Sequence, residues 1–173
     1  MNRLGAAWDA VVVGGGPAGA VAALWLAQRL TQQWHPEPAR RPRLLILEQS
    51  PETGPETGVQ TRTRIGESLP PACRPLLRDL GLLDRMEGHR PYLGNRTLWG
   101  GGVSTHDFLR DPQGSGWHLD RAAFDAMLQA EAVRHGAVIR RGITVRALTR
   151  KDGTQDGRQD RYWDGYWGIV TSL

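Results

Sequence analysis

The stretch from Asp9 to Gly19 constrains this chain more than any other. Asp9-Ala-Val-Val-Val13 runs without a spacer into Gly14-Gly-Gly-Pro-Ala-Gly19. β-Branched residues in a short run bounded by glycines predict a buried strand, and the glycines let the chain reverse within a few residues. From Ala18 to about Gln33 the many alanines, with Val21, Leu24, Trp25 and Leu30 near helical spacing, predict a helix. Leu44-Leu-Ile-Leu-Glu48 predicts a second buried strand. Strand, helix and strand in this order make a βαβ unit, expected to be right-handed with parallel strands. The expected class is α/β.

The glycine spacing carries chemical meaning because its context agrees. Gly14-x-Gly16-x-x-Gly19 follows a strand, opens a helix, and is answered by an acidic residue at the end of the next strand. Gly14 permits the sharp turn, Gly16 lets backbone approach a pyrophosphate, and Gly19 lets the helix lie close on the strand. Pro17 and Ala18 complete the turn and belong to the same candidate set. The N–H groups and partial positive charge of the helix N-terminus favour phosphate, and Glu48 can accept hydrogen bonds from ribose hydroxyls. Gly19 to Glu48 is 29 residues, against about 20 in the usual unit. The Pro/Arg loop from about Gln33 to Arg43 accounts for the excess. The competing reading is a glycine-rich turn that holds no ligand.

Downstream, helix alternates with short strands rather than with a regular βα repeat. His35 to Pro42, and Ser50 to Gly66, predict loops. Pro70 to Leu80 predicts a helix with prolines in its first turn and Gly81 at its end. Asn95 to Phe108 predicts two strands around Gly100-Gly-Gly102, and Gly116 to Leu119 another. Asp120 is a good N-cap for a helix over Arg121 to His135, with Phe124, Met127, Leu128, Ala132 and Val133 near one face and Gly136 closing it. Ala137–Ile139 and Ile143–Leu148 predict strands, the latter paired as a hairpin with Tyr162–Leu173.

Composition narrows the partners. Net charge is +4 with a pI near 10.0, and Lys151 is the only lysine. The tightest basic group, Arg40, Arg41 and Arg43, is too small for a nucleic-acid tract; a solvated loop explains it, and the overall excess also suits an anionic cofactor. Cys73 stands alone, which excludes an intrachain disulfide and a cysteine zinc site and suggests a reducing, cytoplasmic setting. No stretch makes a signal peptide or a membrane span. His35, His89, His106 and His135 are isolated, with no metal-ligand spacing.

With Gly14–Gly19 and Glu48 in place, two later stretches carry a resemblance. Arg64-Ile-Gly-Glu-Ser-Leu-Pro70 looks like the Gly-Glu-Ser segment of flavin-dependent halogenases and related monooxygenases. Trp117-His-Leu-Asp-Arg-Ala-Ala-Phe-Asp125, with Leu128 and Gly136-Ala137, is similar to the Arg-x-x-Phe-Asp-x-x-Leu helix of the same superfamily. The chain thus resembles the FAD-dependent p-hydroxybenzoate-hydroxylase-like, halogenase-like and geranylgeranyl-reductase-like branch. That implies a Rossmann-like FAD/NAD(P)-binding unit with additional antiparallel strands. It also implies FAD as cofactor, with NAD(P)H or a reduced-flavin donor as reductant. At matching positions it implies that Gly14, Gly16 and Gly19 hold the pyrophosphate and Glu48 the adenosine ribose. Gly66, Glu67 and Ser68 would lie near the flavin, Arg121 would face the phosphate or adenosine side, and the Val145 backbone would lie near adenine. Rival readings make Glu67 an ordinary exposed carboxylate, Ser68 a helix cap, Arg121 a first-turn surface residue and His118 structural rather than a general base.

The chain departs from the family in two ways. It has no Gly-Asp segment after its last strand, so residues 1–173 are expected to be the N-terminal part of an FAD-binding domain, lacking its remaining strands and the substrate domain. It has no lysine between Glu67 and Arg150, where halogenases of this class carry a catalytic one, and no tryptophan-rich halogenase signature. A monooxygenase-type oxidoreductase acting on a small or carrier-bound organic substrate is therefore expected ahead of a halogenase-like or reductase enzyme. The remaining alternatives are a NAD-binding dehydrogenase and an inactive truncated fragment.

Overall fold

The computed structural model describes residues 8–33, 42–52, 67–151 and 166–172. All of the expected loop at 35–42 except Pro42, and most of that at 50–66, lie outside these residues, as does Gly66. The chain divides into two compact units, residues 1–60 with 132–173 and residues 61–131.

In the first unit, β1 (Ala10–Val13) leads through the glycine turn into α1 (Pro17–Gln33) and on to β2 (Leu44–Leu47). β1 and β2 are parallel, and β2 is also parallel to β8 (Ala137–Arg140), giving the sheet order β1-β2-β8. β2 is central and fully buried, as four consecutive aliphatic residues require. β1 was expected to be buried too, but it lies at the sheet edge and Val13 is exposed. Helix α1 covers β1, β2 and β8 through Ala20, Ala23, Leu24 and Ala27. The three alanines among these positions i, i+3, i+4 and i+7 let the helix lie close to the strands. Trp25, expected on that face, points outward instead, and the Arg29 guanidinium lies 5.6 Å from its ring centroid.

The hairpin expected at the end of the chain is present. β9 (Thr144–Lys151) pairs antiparallel with β10 (Tyr166–Ser172), with a register irregularity between Val170 and Thr171. Val145 and Ile169 pack with Trp8, Val11 and Ile143 against buried Leu45 and Leu47, which fixes this hairpin on the sheet.

The second unit is mostly antiparallel. β3 (Glu67–Leu69), β7 (Gly116–Leu119) and β4 (Arg90–Tyr92) form a sheet in the order β3-β7-β4. Between them the chain makes a short helix α2 (Arg74–Asp79), preceded by a 3-10 turn, and a hairpin of β5 (Gly94–Trp99) and β6 (Gly102–Asp107). The strands β3 and β4 were not expected, because segments of only three residues leave no periodic signal. Gly116 is required where β7 passes β3, since an added Cβ would sit 2.2 Å from the Leu69 carbonyl oxygen. α3 (Arg121–Arg134) begins at Asp120, whose Oδ1 accepts from the N–H of Ala122 at 3.0 Å and of Ala123 at 3.1 Å. It buries Phe124 and Leu128 as expected, but also Asp125, Gln129 and Glu131. Among the described residues no helix is long and apolar enough to cross a membrane.

Candidate functional site

The glycine turn in the first unit has the geometry its sequence implies. Gly14 has φ +98°, a left-handed conformation that disfavours any side chain. Gly19 packs so closely that an added Cβ would lie 1.9 Å from the Gly14 carbonyl oxygen. Gly16 faces open space, with nothing within 4 Å of where a Cβ would stand. The three positions therefore differ in kind. Two are glycine because the fold needs it, and one leaves backbone uncovered. Pro17 opens α1, and Ala18, in its first turn, is exposed. The first-turn N–H groups of any helix lack intrahelical acceptors.

Glu48 stands where β2 ends and is almost wholly buried. Its Oε2 accepts from the Gly15 N–H at 2.5 Å and its Oε1 from the Ser50 N–H at 2.8 Å. One carboxylate thus ties the glycine turn to the segment beyond β2. The same segment is braced from β8, because the Glu48 N–H donates to the Arg140 carbonyl at 2.9 Å and the Gly142 N–H to the Ser50 carbonyl at 3.1 Å. Val145 belongs to this unit, paired with Thr171 beside the hairpin irregularity.

In the second unit, Arg121, Glu67 and Asp125 form one cluster. The Arg121 Nε and Nη2 donate to Asp125 Oδ1 and Oδ2 at 3.2 and 3.4 Å, and Nη1 is ion-paired to Glu67. Hydrogen bonding to Asp125 is the leading cause that holds the guanidinium pKa above its usual value. Arg121 is not the surface residue of the rival reading, since its side chain is only 12% exposed. Glu67 is exposed, but it is engaged with Arg121 rather than idle. Asp125 was not foreseen, although its i+4 spacing from Arg121 on a helix was a legible signal.

Ser68 and His118 oppose each other across β3 and β7, with Ser68 Oγ 3.0 Å from His118 Nδ1. The His118 ring also lies 4.7 Å from that of Tyr92. Ser68 is not a helix cap. The cap position before the 3-10 turn is Pro70, and no side chain bonds there. No group of three or more His, Cys, Asp or Glu that could hold a metal occurs among the described residues.

No family model matches the chain. LodB of Marinomonas mediterranea, named an FAD-dependent oxidoreductase, is 36% identical over 139 residues, covering 78% of this chain and 33% of LodB. A 1H-pyrrole-2-carbonyl-[peptidyl-carrier protein] brominase of Pseudoalteromonas luteoviolacea is 28% identical over 148 residues, covering 84% of this chain and 31% of the brominase. The chain thus spans about a third of the length of these curated relatives. Among solved structures, the myxobacterial chondrochloren halogenase superposes with a TM-score of 0.60 at 33% identity, over 80% of this chain and 29% of that one. The p-nitrophenol 4-monooxygenase of Pseudomonas putida superposes with a TM-score of 0.61 over 84% of this chain and 34% of that one; at 20% identity it shows a common fold. The chain is thus similar in sequence to an FAD-dependent oxidoreductase and to halogenases, and in fold also to a monooxygenase and a reductase-like protein, over part of their length.

Proposed function

We propose that this chain is the FAD-holding part of an FAD-dependent oxidoreductase, of monooxygenase type, acting on a small-molecule or carrier-bound organic substrate. The observation that carries the reading is the pairing of an uncovered Gly16 with a buried Glu48 at the end of β2. The residues present fit a dinucleotide. Gly14 and Gly19 shape the turn, Gly16 admits a diphosphate to the backbone, Pro17 opens α1 without an N–H of its own, and the first turn from Ala18 on offers N–H groups and positive potential. Glu48, at the end of β2, is a carboxylate and can accept hydrogen bonds from ribose hydroxyls. Glu67, Ser68 and Gly66 are assigned to the flavin side, Arg121 to the phosphate or adenosine side, and the Val145 backbone to adenine. Bound FAD would supply the redox chemistry, with NAD(P)H or a reduced-flavin donor as electron source, and the protein would supply position and electrostatics. The lone Cys73 fits a cytoplasmic location.

A halogenase-like activity is the second reading, favoured by the halogenases among the relatives. It ranks lower because residues 67–150 contain no lysine. Titration of the purified chain with FAD and with NAD+ tests the cofactor assignment. FAD binding with a perturbed flavin absorption spectrum is expected, whereas tight NAD+ binding without FAD binding would contradict it.

A further inference from the structure

The sheet β3-β7-β4 is one-sided. Trp117 and Leu119 of β7 are buried, while His118 between them is exposed. Pairing sets Ser68 of β3 on one side of His118 and Arg90 of β4 on the other, each directly opposite it. Side chains directly opposite one another share a face and stand about 5 Å apart at Cβ. Ser68 and Arg90 are exposed as well, so a hydroxyl, an imidazole and a guanidinium line up across three strands. Tyr92, two residues along β4, joins them: its ring lies 4.7 Å from that of His118 and meets Phe108 edge to face at 5.2 Å.

Arg90 forms no ion pair among the described residues. Carboxylates of this sheet and its flank are committed elsewhere, Glu67 to Arg121 and Asp120 to the N–H groups that open α3. On His118, Ser68 takes Nδ1 at 3.0 Å, and no partner holds Nε2 among the described residues. A planar fork beside a second N–H donor fits the two oxygens of a carboxylate. Arg90 is the one fixed charge of the row, so a monoanion is matched and a phosphate dianion is not.

We propose that Arg90 and His118 anchor the carboxylate of a small organic acid on this face, with Ser68 as a positioning residue. A carboxylate selects the tautomer in which the Ser68 hydroxyl donates to Nδ1 and the ring proton sits on Nε2, where it donates to the guest. The Tyr92 ring offers the guest's carbon skeleton an apolar surface. Calling the guest a substrate rests on the FAD reading; the anchoring rests on the second unit alone.

NMR titration of the full chain with butyrate, butyramide and inorganic phosphate, with and without FAD, tests this. Butyrate should shift the His118 ring nitrogens and the β7 amides in a saturable way, and butyramide, of similar shape without the charge, should not. Arg90→Gln should weaken butyrate binding at least about tenfold and His118→Phe about three- to tenfold, the scale of single hydrogen bonds to a guest. Arg96→Gln, on β5 outside the row, should leave binding unchanged. Ser68→Ala should spread the His118 ring proton over both nitrogens and weaken binding with the melting curve unmoved, which loss of a merely structural serine would not do. No saturable shift in the wild type, an equal response to butyramide, tighter binding of phosphate, or wild-type affinity in Arg90→Gln would overturn the proposal. Butyrate binding by a chain that takes no FAD would sink the FAD reading and leave the anchor standing; FAD binding without butyrate binding would overturn the anchor alone.

Discussion

At the scale of single residues, Gly19 and Gly16 of the turn should separate under mutation. Gly19→Ala drives a Cβ into the Gly14 carbonyl, 1.9 Å away, and should cost more than about 2 kcal/mol of unfolding free energy by denaturant titration, since backbone must shift. Gly16→Ala meets open space and should leave stability within about 1 kcal/mol, or raise it slightly by restricting the unfolded chain. Glu48→Gln replaces one acceptor oxygen by a donor facing a backbone N–H, and should destabilise by about 1–3 kcal/mol, the cost of a buried unsatisfied group. Burial raises the Cys73 pKa, so the thiol stays protonated at pH values where a free cysteine ionises. Alkylation by iodoacetamide at pH 8 should be slower than for the unfolded chain and should rise with pH. The sign for stability follows: the contribution is fully present below the unfolded thiol pKa and is lost as pH climbs through the higher folded one.

At the scale of elements, the long, strongly patterned ones were legible. β2, α1, α3 and the β9–β10 hairpin stand where composition and period put them, because each runs for four or more residues of consistent composition. β3 and β4 were not legible: three-residue strands gain their identity from pairing with β7, a tertiary fact. Ser68 illustrates the cost of that, since a Ser before Leu-Pro-Pro reads locally as a cap but pairs with His118 across the sheet. The N-cap of α3 was legible, and it makes a firm prediction. Asp120→Ala removes two backbone hydrogen bonds and should cost about 1 kcal/mol by thermal or denaturant melting; an unchanged midpoint would mean that the α3 start is held by its other contacts.

At the scale of the whole molecule, the sequence motif located the glycine turn and Glu48 but not the Arg121–Asp125–Glu67 cluster, whose members sit on two elements that only folding brings together. Leu98 and Trp99 lie on the β5–β6 hairpin, 73% and 87% exposed. Exposed apolar residues on a two-stranded sheet invite association. Replacing both with Ser should change stability by less than about 0.5 kcal/mol and reduce self-association in sedimentation; a collapse of the melting temperature would show that these side chains are structural after all. The claim on which the account turns is that the backbone at Gly16 meets the diphosphate of FAD. Titrating wild type and Gly16→Ala with FAD, with their melting curves alongside, tests it most directly. The account predicts flavin binding by the wild type, at least about tenfold weaker binding by Gly16→Ala, a difference of about 1.4 kcal/mol, and matching melting curves. Equal FAD affinity in the two proteins, or none in either, would contradict it.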